Sequence, residues 1–249
     1  MKMKTLAVLA GVATPLIATA SASAGFIGIK ATSKPNDFGL LVVNVYAIFD
    51  RPEPGDGSGD HMVAVAGTPN APLVIQVTGG TFYNHPFGND HAPLALLVDV
   101  FPSLAYDTFV TIGVKKVGDP NEFPGAQPAD SLTITTAFPT GITGSVLETT
   151  QAGWAVIPSA PQGDPFDAVN SFPGNGQILI GQFSTANGTA ISGTMLIQYL
   201  SNGQVGTSIV SFGIPSPGAL AMMGTACLIG TRRRRRHRWD RRPPKCKTP

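Results

Sequence analysis

Residues 177–212 read QILIGQFSTANGTAISGTMLIQYLSNGQVGTSIVSF. Three apolar, β-branched runs are separated by two Asn-Gly pairs, Asn187-Gly188 and Asn202-Gly203. Asn-Gly is a strong short-range hairpin signal, because both residues tolerate positive φ in a type I′ turn. The stretch therefore predicts strands over residues 177–184, 189–200 and 204–212, joined as a three-stranded antiparallel meander.

The same grammar extends toward the N-terminus. Residues 39–49, 62–66, 73–82, 94–101, 106–117, 132–138 and 142–150 are rich in Val, Leu, Ile, Tyr and Phe. Thr108, Val110, Ile112 and Val114 alternate with Phe109, Thr111 and Gly113, the period of a strand. Glycine and proline, 29 and 22 in the chain, punctuate the gaps. Long 3.6-period stretches of strong helix formers are missing, and no fixed-period repeat is visible. Short strands with regular turn signals predict an all-β fold, an antiparallel β-sandwich of jelly-roll or immunoglobulin-like type.

Both ends of the chain read as addresses. Lys2 and Lys4 precede an apolar run over residues 6–20, and Ala22-Ser23-Ala24 is an A-x-A site. This predicts a secretory signal peptide over residues 1–24, cut between Ala24 and Gly25; an uncleaved N-terminal anchor is the alternative. At the other end, residues 214–231 are uncharged and apolar, and Arg232, Arg233, Arg234, Arg235 and Arg236 follow. Eighteen residues make about 27 Å of helix, enough for a short transmembrane helix against a hydrocarbon core of about 30 Å. Each arginine costs roughly 2.5–3.5 kcal/mol at mid-membrane, so the cluster is a basic stop on the cytoplasmic side. A buried terminal helix is the alternative, and the arginine run argues against it.

Charge follows the same division. Residues 25–213 hold 14 acids and five bases, Lys30, Lys34, Arg51, Lys115 and Lys116, a net of −9. Residues 231–249 hold ten bases and Asp240, a net of +9. The overall +2 thus hides an acidic exported domain (25–213) and a basic cytoplasmic tail (232–249). Because the tail directly follows an apolar segment, a membrane stop explains it and no nucleic-acid partner is expected. The two cysteines, Cys227 and Cys246, lie in the apolar segment and the tail. The domain must be stable without a disulfide.

Pro215-Ser216-Pro217-Gly218, a short span and Arg232 onward form a tripartite tail that resembles the PEP-CTERM sorting domain of exported bacterial proteins. The resemblance covers about residues 212–238, with Ser216 where the family motif has Glu. It implies recognition of Pro215, Ser216 and Pro217 by an exosortase, an integral-membrane protease or transpeptidase. It also implies a link to exopolysaccharide and biofilm. The L-P-x-T-G-like motif of sortase substrates is absent.

Within the domain, residues 79–91 read GGTFYNHPFGNDH. Phe82, Tyr83, His85 and Phe87 suit a platform for a sugar, while His85, Asp90 and His91 are ligand types suited to a transition metal. A structured crossover loop with its rings in the core explains the same residues. Asp50, Asp56 and Asp60 flank a glycine-rich loop that suits weak calcium binding, although the EF-hand register and its terminal Glu are absent; a solvated acidic loop is the plainer explanation. No other cofactor is expected. His61 beside Asp60 lacks a nucleophile, and no G-x-S-x-G elbow is present. The leading expectation is a non-catalytic surface or matrix protein, exported and sorted through its C-terminus to partner polysaccharide or matrix proteins. A carbohydrate-binding module is second and a periplasmic hydrolase third.

Overall fold

The structure, a computed structural model, describes residues 25–50, 59–118, 131–139, 141–167, 171–201 and 203–216. Its elements are β1 (Phe26–Pro35), β2 (Leu40–Phe49), β3 (His61–Ala66), β4 (Leu73–Thr78), a single short helix α1 (Ala95–Val100), β5 (Phe109–Val110), β6 (Thr133–Ile134), β7 (Val146–Thr149), β8 (Gly153–Ala155), β9 (Pro173–Gly174), β10 (Gln177–Ala186), β11 (Ala190–Ser201) and β12 (Gln204–Ile214). Two 3-10 turns, Pro102–Tyr106 and Pro161–Gly163, complete the set. The described residues are thus all-β in character, with every strand pairing antiparallel.

One sheet has the order β1-β2-β10-β5, with β9 also on β10. In the other, β12 takes one edge of β11 along its whole length. β3 and β4 share the opposite edge end to end, with Ala66 facing Leu196 and Val74 facing Thr194. The chain bows out between them. β8 and β7 follow the same break, and β6 closes on β8.

The main core lies between these sheets, because strand periodicity aims alternate side chains inward. β2 supplies Val43, Val45, Ala47 and Phe49, and β10 supplies Ile178, Ile180 and Phe183. Across from them stand Leu73, Ile75 and Val77 of β4, Ile191, Met195 and Ile197 of β11, and Trp154 of β8. Each buried Val, Leu, Ile, Met or Phe among them contributes about 1.5–3 kcal/mol by leaving water. A smaller core of Ala92, Phe109, Val114 and Leu179, flanked by Tyr46, Val117 and Phe172, sits on the outer face of the first sheet.

β11 and β12 pair as the expected hairpin, with Ser201 opposite Gln204. β10 and β11 do not pair. β10 and β11 belong to different sheets, so the predicted three-stranded meander is one hairpin plus a crossing between layers. Both edges of β10 are already taken, by β2 on one side and by β5 and β9 on the other. Gly188 has φ +94°, but Asn187 is not in the positive-φ region, so the turn is not type I′. The Thr189 hydroxyl donates to Ala186 O at 2.9 Å and fastens this corner.

Two further segments differ from expectation. Residues 94–101, expected as strand, contain α1, bracketed by Pro93 and Pro102. Leucine and alanine favour a helical turn there, and only Val98 of α1 is buried. Residues 106–117 form strand only at Phe109–Val110. Their apparent alternation fails because Thr108, Phe109, Val110, Thr111 and Ile112 are all fully buried. This segment passes between the two cores, with Val110 and Ile112 in one and Phe109 and Val114 in the other. β1 went unread because Gly28, Lys30 and Pro35 interrupt it; as an edge strand it keeps one partner and half its surface in solvent.

Candidate functional site

The loop over residues 79–91 leaves β4 and crosses to the first sheet. Phe82 forms a β-bridge with Thr185, and Tyr83 N donates to Ser184 O at 2.7 Å. The Phe82 ring is buried at 5% exposure and packs 6.2 Å from Phe183. In that position Phe82 is a core residue. Tyr83 is half-buried.

Beyond Tyr83 the chain turns tightly over a buried carboxylate. Asp107, 1% exposed, accepts the His85 backbone N–H at 2.7 Å. Gly88 lies directly above; a Cβ there would stand 1.8 Å from Asp107 Oδ2, so only glycine fits. Burial pushes the Asp107 carboxyl up to about 6. Backbone N–H groups of His85, Thr108 and Asn89 pull it down, and the charge of Asp90 raises it further. Burial, then the charge of Asp107, raises the Tyr83 phenol, which a hydrogen bond from Ser103 partly opposes.

Asp90 is a second anchor. Its Oδ1 accepts Ile142 N at 2.9 Å and its Oδ2 accepts Gly141 N at 3.1 Å, while its own carbonyl accepts Val110 N. Asn84 Nδ2 donates to Ile142 O at 2.6 Å. His85 Nδ1 accepts Phe87 N at 3.2 Å. His85 Nδ1 and each oxygen of Asp90 thus accept one backbone N–H. Among the described residues no three His, Cys, Asp or Glu side chains gather as a metal-binding group. Of the calcium set, Asp50 is exposed and Asp60 is buried, and Asp56 lies outside the described residues.

What the turn presents outward is a ring cluster. Phe87 lies 4.7 Å from Phe101 with an interplanar angle of 32°, and His85 lies 5.7 Å from Phe87 and 6.1 Å from Phe101. Phe87 is 59% exposed. Leu94, Leu96 and Val100 continue this apolar surface along α1. A depression of about 320 Å³ lies beside it, bounded by Phe87, His91, Pro93 and Leu94. Phe101 and Asp107 were not singled out from sequence. An isolated acid inside an apolar run, as in LAYDTFVTI, was the available signal for Asp107.

Gly25, Pro215 and Ser216 are described; Ala22, Ala24, Pro217, Gly218 and the five arginines 232–236 lie outside the described residues. Among the described residues no helix is long and apolar enough to cross a membrane, and most of the expected span, residues 217–231, falls outside them. No protein-family model, curated protein or solved structure matches the chain.

Proposed function

We propose that this chain is an exported, non-catalytic surface or matrix protein that is held and sorted by its C-terminus. Its domain is a β-sandwich of jelly-roll or immunoglobulin-like type, followed by a short transmembrane helix and a cytoplasmic basic tail. The carrying observation is the junction: β12 ends at Ile214, and Pro215-Ser216 begins the motif without a linker. The expected protease motif at residues 215–218 therefore follows the last strand directly. A domain with cores of its own needs no disulfide to be stable outside the cell.

The test is intact-mass analysis of the exported protein, with and without alanine at positions 215–217. The expected wild-type mass lacks residues beyond the Pro-Ser-Pro-Gly motif, and the alanine variant keeps them. A mature wild-type species that retains residues 218–249 removes processing and leaves a simple anchor.

A second reading, a carbohydrate-binding module, draws on the exposed ring of Phe87 beside Phe101 and His85. It no longer includes Phe82. Glycan-array binding that disappears in Phe87→Ala supports it; an array with no signal ends it.

A further inference from the structure

β12 (Gln204–Ile214) is a sheet edge without the protections that the other edges of this fold carry. Among the described residues it pairs with β11 alone, over its full length and with no register shift. An open strand edge is a row of unpaired N–H and C=O groups, and proteins blunt such edges with brevity, lysine, proline or a bulge. β5, β6, β7 and β9 are two to four residues long. β1 has 10 residues, but it holds Lys30, Lys34 and Pro35 and shifts register between Phe26 and Gly28. β12 has 11 residues and contains no charge, no proline and no bulge.

The strand is firmly seated. Val210, Phe212 and Ile214 pack on the main core. Val205 and Ile209 point the other way and are exposed, and Thr207, Ser211 and Gly213 complete the exposed row. The Thr194 and Ser211 hydroxyls meet at 2.8 Å and fasten this row to β11.

Charge and symmetry together name the occupant. Residues 25–213 carry a net −9, so two copies repel over most of their surfaces. β11 and β12 hold no charged residue, so two copies that meet at this edge oppose no charges along it. An antiparallel pair of β12 strands about a twofold axis uses the same patch on both copies. The twofold register that pairs the whole strand centres on Ile209, midway between Gln204 and Ile214. It sets Ile209 against its own counterpart, Thr207 against Ser211 and Val205 against Gly213, apolar and hydroxyl pairs that suit a sheet. We infer that β12 pairs antiparallel with β12 of a second copy of this chain and joins two seven-stranded sheets into one. The inference goes beyond the function proposed above and does not depend on tail processing.

The test is disulfide trapping in the full chain in detergent. Cys227 and Cys246 are replaced by serine in every sample, so that only the introduced thiol is present. Directly opposed residues of an antiparallel pair have Cα atoms about 4.5–5.5 Å apart, within disulfide reach. The two copies of position 205 would lie about 27 Å apart along the shared ladder, far outside it. Under mild oxidation Ile209→Cys should be captured as a covalent dimer, while Val205→Cys, which is as exposed, should remain a monomer. Without oxidation the chain with β12 unaltered should sediment at twice its own mass. Ile209→Lys sets two like charges directly opposite and should return it to one. Because Ile209 is exposed, that variant should keep its thermal midpoint; if it does not fold, the cysteine pair decides. A chain that sediments as a monomer, and so leaves the edge to a strand of another protein, overturns the proposal. So does equal trapping at 205 and 209, the outcome for a dimer held through residues 214–231, and so does a dimer that survives Ile209→Lys.

Discussion

Asp107 makes stability fall as pH rises, the reverse of the usual carboxylate. Its carboxyl is lifted from 3.8 to about 6 because the folded chain buries it. Between these values the native state holds a proton that the unfolded state has released. The contribution of Asp107 is therefore fully present below about pH 4 and is lost as pH climbs through 6. A shift of about two units at 1.36 kcal/mol each is worth roughly 3 kcal/mol. Asp107→Asn keeps the shape and an oxygen for His85 N–H, and it cannot ionise. Urea unfolding of both proteins from pH 4 to 7.5 isolates the effect, because every other titration cancels in the difference. Relative to wild type, the asparagine variant should gain about 3 kcal/mol across that window, most of it between pH 4 and 6. A difference that stays flat within about 1 kcal/mol, or that slopes the other way, refutes the reasoning.

Three other outcomes follow from packing. Gly88→Ala forces a methyl onto Asp107 Oδ2 and should cost about 2–3 kcal/mol by denaturant unfolding, as strained core insertions do. Trp154→Phe removes the Nε1 donor that lies 3.0 Å from Thr111 O and orphans a buried carbonyl; a loss of about 2–3 kcal/mol is expected by the same assay. Phe82→Ala should cost about 3–5 kcal/mol because the ring is in the core, whereas Phe87→Ala should stay within about 1 kcal/mol in thermal unfolding. Equal costs for these two phenylalanines would contradict the division of the loop into a plug and an exposed ring.

The strands over residues 40–49, 177–186 and 204–214 were legible because each is long and rich in β-branched and apolar residues, and the last two adjoin an Asn-Gly pair. Residues 106–117 were not, because burial on both sides removes the polar–apolar alternation that marks a strand. The helix at Ala95–Val100 escaped for a related reason: leucine, valine and alanine serve a short helix and a strand alike, and six residues are too few to display a period. The depression shared by Lys34, Lys115 and Lys116 was invisible for a third reason. Lys34 and Lys115 lie 81 positions apart in sequence, and only the pairing of β1 with β2 and the path over the sheet's outer face bring them together.

The loop over residues 79–91 shows how residue type underdetermines role. By residue type His85, Asp90 and His91 suited a metal, the loop's rings suited a sugar, and a structured crossover loop explained the same residues. A backbone N–H uses the same acceptor atoms, and here such groups come both from the turn and from residues 141–142 of another segment. Gly141 and Ile142 take both oxygens of Asp90, Phe87 takes His85 Nδ1, and His85 N–H goes to Asp107. Each acceptor spent in this way fixes one more residue of the turn. Phe87 is therefore held outward by a network whose centre, Asp107, carries charge at neutral pH and is neutral below about pH 6.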